Sequence, residues 1–193
     1  MERTDTQLIQ DYISGDAPAL DLLISRHIRN LYSYIYRFCG DSEATDDIVQ
    51  EAFVKAWKNL GKFRTGSRFD VWLFSIARNT AIDYLRRRKN HAISKFENED
   101  GGNIVLDNLA DPGPLADEII SRVQNKQILD ELIAKLSPAY REVLILRYND
   151  HFTFSEISGV LNRPLNTVKS QHRRALLALK QLITHQNQDQ LRI

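Results

Sequence analysis

Along most of this chain the apolar residues recur at steps of three and four, the spacing that gathers them on one side of an α-helix. Ile48, Val49, Ala52, Phe53, Ala56 and Leu60 form one such stripe, and Val168, Ala175, Leu179 and Ile183 form another. No alternating stretch with hairpin turn chemistry competes with them, so the chain reads as all-α. The spacing predicts helices near 5–14, 18–39, 44–60, 68–89, 114–136, 138–149, 154–161 and 167–185. Gly15, Gly40-Asp41, Gly61 and Gly66 mark breaks in the first half.

The helical pattern fails between 91 and 114. That stretch carries Asn98-Glu99-Asp100-Gly101-Gly102-Asn103 and then Asp111-Pro112-Gly113-Pro114. Such a composition buries too little apolar surface to offset its ordering entropy, and it reads as a flexible acidic linker. Two small helical domains are therefore expected, at 1–90 and 115–193, with no repeat between them.

The second domain has the outline of a helix-turn-helix. Ser137 is placed as an N-cap with Pro138 at the first helical position, and Val143, Leu144, Leu146 and Tyr148 are expected to pack. Thr153-Phe154-Ser155-Glu156 has capping-box spacing for a short helix, which Asn162-Arg163-Pro164 ends. Asn166 is then expected to cap a longer helix from Thr167. Its first two turns gather Thr167, Lys169, Ser170, Gln171, Arg173 and Arg174, the donors and cations that base-edge and phosphate contacts require. A solvated cationic helix in an ordinary bundle is the competing account.

Overall composition, 193 residues with 42% hydrophobic and 26% charged, is that of a soluble globular chain. No apolar run approaches the roughly 18 residues that span a bilayer, and the polar opening lacks a signal peptide's apolar stretch, so a cytoplasmic protein is expected. The single cysteine, Cys39, cannot form an internal disulfide and reads as a small apolar residue at a helix end. His27, His91, His151, His172 and His185 are scattered without metal spacing or a nucleophile-base pattern. No catalytic residue, metal site, cofactor or small-molecule substrate is expected.

A net charge of +1 conceals strong segregation. Residues 1–53 carry −6, 54–89 carry +8, 90–130 carry −5 and 131–193 carry +4. Two basic blocks separated by an acidic one suggest two surfaces for a polyanion, with the acidic block a spacer or a competitor.

In the first basic block, Phe63-Arg64-Thr65-Gly66-Ser67-Arg68-Phe69-Asp70-Val71-Trp72-Leu73-Phe74 interleaves aromatics with cations. It runs on through Arg78 and Asn79 to Arg86-Arg87-Arg88-Lys89. Aromatic platforms beside a cationic track hold unstacked bases of single-stranded nucleic acid. Trp72, Phe74 and Ile76 have core packing as their alternative, and the arginine run a solvated helix end. Just before this block, the side of the 46–57 helix turned away from its apolar stripe shows Asp47, Gln50, Glu51 and Val54. An exposed valine among acids and an amide suits a protein-binding face, although acids in a first turn also suit the helix dipole.

In these segments the chain resembles the extracytoplasmic-function (ECF) group of bacterial sigma factors, over nearly its whole length. Asp46-Asp47-Ile48-Val49-Gln50-Glu51-Ala52-Phe53, the Phe63–Asn79 stretch and Asp83-Tyr84-Leu85-Arg86-Arg87-Arg88 are similar to successive parts of region two. Leu136-Ser137-Pro138, Arg141-Glu142-Val143, Glu156-Ile157 and Thr167-Val168-Lys169-Ser170 are similar to region four. The resemblance implies docking of Asp47, Gln50, Glu51 and Val54 on the clamp helices of the largest RNA polymerase subunit. It implies capture of the melted −10 element by Lys62, Phe63, Arg64, Ser67, Trp72, Arg78, Asn79, Arg86, Arg87 and Arg88. It further implies reading of the −35 duplex by Asn166, Thr167, Lys169, Ser170, Gln171, Arg173 and Arg174, flap contact by the flanks of region four, and control by an anti-sigma factor.

Departures bear on specificity. Asn166 stands for a usual Gly, Gln171 for a usual Arg, and Leu176 where a second Arg is common. Gln171 favours adenine over guanine if it reaches a base edge. Loss of a cation at Leu176 weakens phosphate contact or passes it to Arg173 or Arg174. A free-standing helix-turn-helix regulator is the rival function, but it leaves the 46–51 face and the aromatic-cationic block without a purpose.

Overall fold

The structure is a computed structural model that describes residues 3–64, 66–89 and 126–190. The expected linker at 91–114, the domain boundaries at 90 and 115, and the start of the helix expected at 114–136 lie outside the described residues. Eight α-helices are described: α1 Asp5–Ile13, α2 Ala17–Cys39, α3 Ser42–Lys58, α4 Phe69–Lys89, α5 Lys126–Ala134, α6 Pro138–Tyr148, α7 Phe154–Leu161 and α8 Leu165–Gln190. A short 3-10 turn, Leu60–Lys62, follows α3. They form two compact units, one centred on α1 to α4 and the other on α5, α6, the start of α7 and α8.

In the first unit the α3 stripe is buried as its spacing demands, with Ile48, Val49, Ala52, Ala56 and Leu60 at 5% exposure or less and Phe53 half-buried. Each large apolar side chain so buried contributes roughly 1.5–3 kcal/mol, which is what drives α3 onto α2 and α4. Tyr34 of α2 stacks on Phe74 of α4 with ring centroids 5.0 Å apart. The helix ends follow local chemistry. Gly40 closes α2 at φ 71, a left-handed conformation that glycine adopts without strain. Asp41 caps α3, accepting from the backbone N–H of Glu43 and Ala44 at 3.1 and 3.2 Å. This cap starts α3 two residues before the expected position.

The second unit packs α5, α6 and α8 around Leu132, Leu136, Leu144, Ala175, Leu176, Leu179 and Ile183. The Thr153 capping box forms as expected: Thr153 N–H donates to Glu156 Oε2 at 2.7 Å, and Glu156 N–H donates to Thr153 Oγ1 at 3.3 Å. Ser137 is the N-cap of α6 but makes no side-chain capping bond.

One expected cap is corrected. Asn166 does not cap α8, because the helix begins at Leu165 and the Val168 N–H already donates to the Pro164 carbonyl at 3.1 Å. The proline stops α7 and also supplies the first acceptor of α8, so Asn166 lies exposed within the first turn. Asn162, at φ 50, makes the reversal between α7 and α8.

Candidate partner and nucleic-acid interfaces

The first surface is the outer side of α3. Asp47, Gln50 and Val54 are exposed, with Val54 at 51%, and Glu51 is half-buried between them. Positions three, four and seven residues after Asp47 put all four on one side of the helix. Glu51 is engaged from two directions. Lys55 Nζ lies 2.8 Å from its Oε1, and the Arg87 guanidinium approaches to 3.4 Å. Lys55 chiefly, with help from Arg87 and against a push from burial, holds the Glu51 carboxyl below its ordinary pKa. It therefore stays ionised at neutral pH. Beside Val54 an apolar groove of about 300 Å³ runs between α2 and α3, lined by Leu20, Ile24, Phe53, Val54, Trp57 and Lys58. Of its lining, Trp57 is held by its Nε1–H, which donates to the Tyr12 hydroxyl at 2.8 Å. Sequence reasoning found Val54 but not the groove, because Leu20 and Ile24 are brought to it by packing rather than by spacing along α3.

The second surface joins the turn after α3 to α4. Lys62, Arg64 and Ser67 are exposed, and Phe63 is half-buried. Phe63 sits in an aromatic cluster with Phe69 and Trp72 at centroid distances of 5.4–5.8 Å, and His27 of α2 reaches Phe69 at 5.3 Å. Phe69 and Phe74 are core, while Phe63 and Trp72 keep part of their surface in solvent. The loop is tied by the Ser67 hydroxyl, which donates to the Arg64 carbonyl at 2.7 Å, and by Gly66 at φ 106. An ion pair between Arg68 and Asp70 borders it.

Along α4, Trp72, Asn79 and Arg86 recur every seven residues, so they share one side; Asn79 and Arg86 are exposed and Arg78 is half-buried. Two members of the arginine run are paired with carboxylates. Arg88 Nη1 lies 2.7 Å from Asp41, and Arg87 leans on Glu51, so each is tethered to a carboxylate of the α3 region. Arg88's hydrogen bond holds the Asp41 carboxyl below its ordinary pKa.

The third surface is the start of α8. Asn166 and Lys169 are exposed; Thr167, Ser170, Gln171, Arg173 and Arg174 are half-buried. Ser170 Oγ donates back to the Thr167 carbonyl at 2.9 Å, and Arg163 Nη1 donates to Gln171 Oε1 at 3.1 Å. One Arg173 guanidinium nitrogen is buried with no hydrogen-bond partner.

Behind this surface His172, 2% exposed, shares a hydrogen bond of 2.9 Å with Tyr148 of α6 and meets the Phe154 ring of α7 edge-on at 4.9 Å. It thus pins α8 to both preceding helices. The signal is present in the sequence, since residue 172 falls on the 168–175–179 stripe, but a search for metal spacing or a nucleophile-base pattern passes over a histidine that packs. Leu176 lies in the core at 2% exposure, so a phosphate-binding cation has no place there and the departure at this position is one of packing.

Among the described residues no group of three His, Cys, Asp or Glu side chains could hold a metal ion. Among the same residues no helix is long and apolar enough to cross a membrane.

Comparison with known proteins places these surfaces in context. Residues 23–91 match the family model Sigma-70 region 2, and residues 126–179 match Sigma-70, region 4. The chain is 30% identical to the ECF RNA polymerase sigma factor SigW of Bacillus subtilis, over 93% of this chain and 97% of that protein. Among solved structures it is similar to CnrH in complex with the cytosolic domain of CnrY. That match has 25% identity and a TM-score of 0.65, and covers 94% of this chain and 97% of the other. The sigma factor RpoE in complex with the anti-sigma factor NepR, from Bartonella quintana, shares the fold at 23% identity. Its TM-score is 0.63, covering 85% of this chain and 96% of that one.

Proposed function

Because the chain belongs to the ECF sigma factors, a family of transcription-initiation subunits and not of enzymes, we propose how its three surfaces divide the work of promoter recognition. The α3 face, with Asp47, Gln50, Glu51 and Val54, docks on the clamp helices of the largest polymerase subunit. The loop at Lys62–Ser67 with the Trp72–Asn79–Arg86 side of α4 receives bases of the −10 element as the strands part. Unstacking a base costs a few kcal/mol, which its capture in a pocket offsets. The start of α8 enters the major groove of the −35 element, and the flanks of the second unit touch the polymerase flap. Asn166, Thr167, Lys169, Ser170, Gln171, Arg173 and Arg174 carry that contact, some to bases and some to phosphates.

The observation that carries the proposal is the α3 face itself. A valine half in solvent, flanked by ionised and amide side chains and bordered by an apolar groove, is unfavourable for a free chain and gains by being covered. The same face is available to an anti-sigma factor, which would hold the protein off polymerase in the cytoplasm. Reconstitution with core polymerase on a pool of promoter fragments tests the scheme. Added protein is expected to produce transcripts from a defined subset of fragments that core polymerase alone does not make. Failure to gain promoter-specific initiation overturns the scheme in favour of a free-standing regulator.

A further inference from the structure

We infer that Arg163 is a specificity-determining residue, which by holding the Gln171 amide makes α8 read a keto base, guanine or thymine, where a free glutamine would take adenine. The inference rests on the proposal that α8 enters the −35 major groove.

Arg163 Nη1 lies 3.1 Å from Gln171 Oε1. A guanidinium has donors only, so the amide must turn its oxygen toward Arg163, and which end of the amide faces which way is settled by chemistry. Arg163 is itself confined. Asn162 before it holds a left-handed conformation at φ 50, and Pro164 after it restricts its backbone to the extended region. The turn therefore fixes where the Arg163 side chain starts, eight residues before the glutamine it reaches.

A glutamine that reads adenine uses both ends of its amide: the oxygen accepts from N6 and the nitrogen donates to N7. With the oxygen engaged by Arg163, the NH₂ group is the end left for the groove. Guanine offers N7 and O6 to such a donor, and thymine offers O4; adenine offers N7 but sets its N6 amino group beside it donor to donor, and cytosine offers only an amino group. The oxygen keeps a second lone pair, but the guanidinium beside it puts positive charge where adenine would bring a further donor. Cytosine, with no acceptor, therefore gains nothing from this pair, adenine gains from N7 alone and with its amino group opposed, and guanine, with two acceptors, gains most.

The test uses holoenzyme assembled from the full chain and a promoter pool randomised across the −35 region, with templates of the transcripts sequenced. Wild type should select guanine or thymine at one position, and Gln171→Ala should flatten that position alone. Arg163→Ala should move its preference toward adenine by about tenfold. Arg163→Lys, which still has donors only, should keep the keto preference. Thermal melts of the variants should match wild type, separating altered reading from misfolding. Adenine or cytosine selected by wild type at the Gln171-dependent position overturns the inference, as does Arg163→Ala leaving it unchanged, or Gln171→Ala flattening nothing. If randomising the region changes no transcript level even for wild type, groove reading by α8 fails, and the role of Arg163 with it.

Discussion

Asp5 shows how much one side chain holds. It opens α1, yet its carboxylate reaches α2, where Arg26 Nη1 lies 2.5 Å from Oδ1 and His27 Nε2 lies 2.8 Å from Oδ2. Burial pushes this carboxyl up, but the hydrogen bonds from His27 and Arg26 outweigh it, and its pKa falls below the ordinary value. A depressed carboxyl stabilises the fold at any pH above the unfolded value near ~4, and loses that contribution as pH falls through the lower folded value. Asp5→Asn should therefore cost about 1–2 kcal/mol at neutral pH, lowering the melting temperature by several degrees. The gap from wild type should begin to shrink below about pH 4 and close only once the pH has fallen below the lower folded value, where both side chains are neutral. A gap independent of pH would show that packing rather than charge holds α1. This link was not legible in the sequence, because Asp5 and His27 are 22 positions apart and only the fold joins them. Cys39, by contrast, was legible: it ends α2 half-buried, and burial pushes its thiol up to about 11, so it stays protonated and inert at neutral pH.

Elements set by local rules are legible in the sequence, and those settled by competition are not. The α3 stripe and the α8 stripe follow from spacing alone, and every residue of the latter, Val168, Ala175, Leu179 and Ile183, is buried. The Thr153–Glu156 box is equally local, since both partners lie within one turn. Thr153→Ala should therefore cost about 1 kcal/mol and act mainly on α7. Hydrogen exchange of the intact protein should show the amides of 154–157 exchanging severalfold faster, with α6 little changed. Equal loss of protection across the second unit would mean that α7 has no local end to fray. The start of α8 was misplaced because two signals conflicted: asparagine is a good cap, but a proline two residues earlier leaves its carbonyl free to accept the first helical bond. The candidate site divides the same way. Exposure of Asp47, Gln50, Val54 and Lys169 follows from helical phase, whereas the tethers on Arg87, Arg88 and Gln171 depend on residues 36, 47 and 8 positions away.

Across the whole molecule those tethers change what the charge count means. The 54–89 block carries +8, but its last arginines face Asp41 and Glu51 of the −6 block that precedes it. A DNA phosphate competes with a carboxylate for Arg87 and Arg88, so less counterion release is available than the sequence suggests. In the second unit one donor of Arg163 is committed to Gln171, and Ser170 donates back into its own helix. Both commitments reduce the donors that α8 brings to a phosphate backbone. The isolated chain should therefore bind promoter duplex only in the micromolar range or weaker at physiological salt, with little preference for sequence. Fluorescence anisotropy across a salt series checks this, and tight, sequence-selective binding by the lone protein would contradict it. Asp41→Asn then provides the internal control. Releasing Arg88 should strengthen binding at low salt and steepen the salt dependence, while a variant that binds no better would mean that Arg88 does not face the path of the DNA.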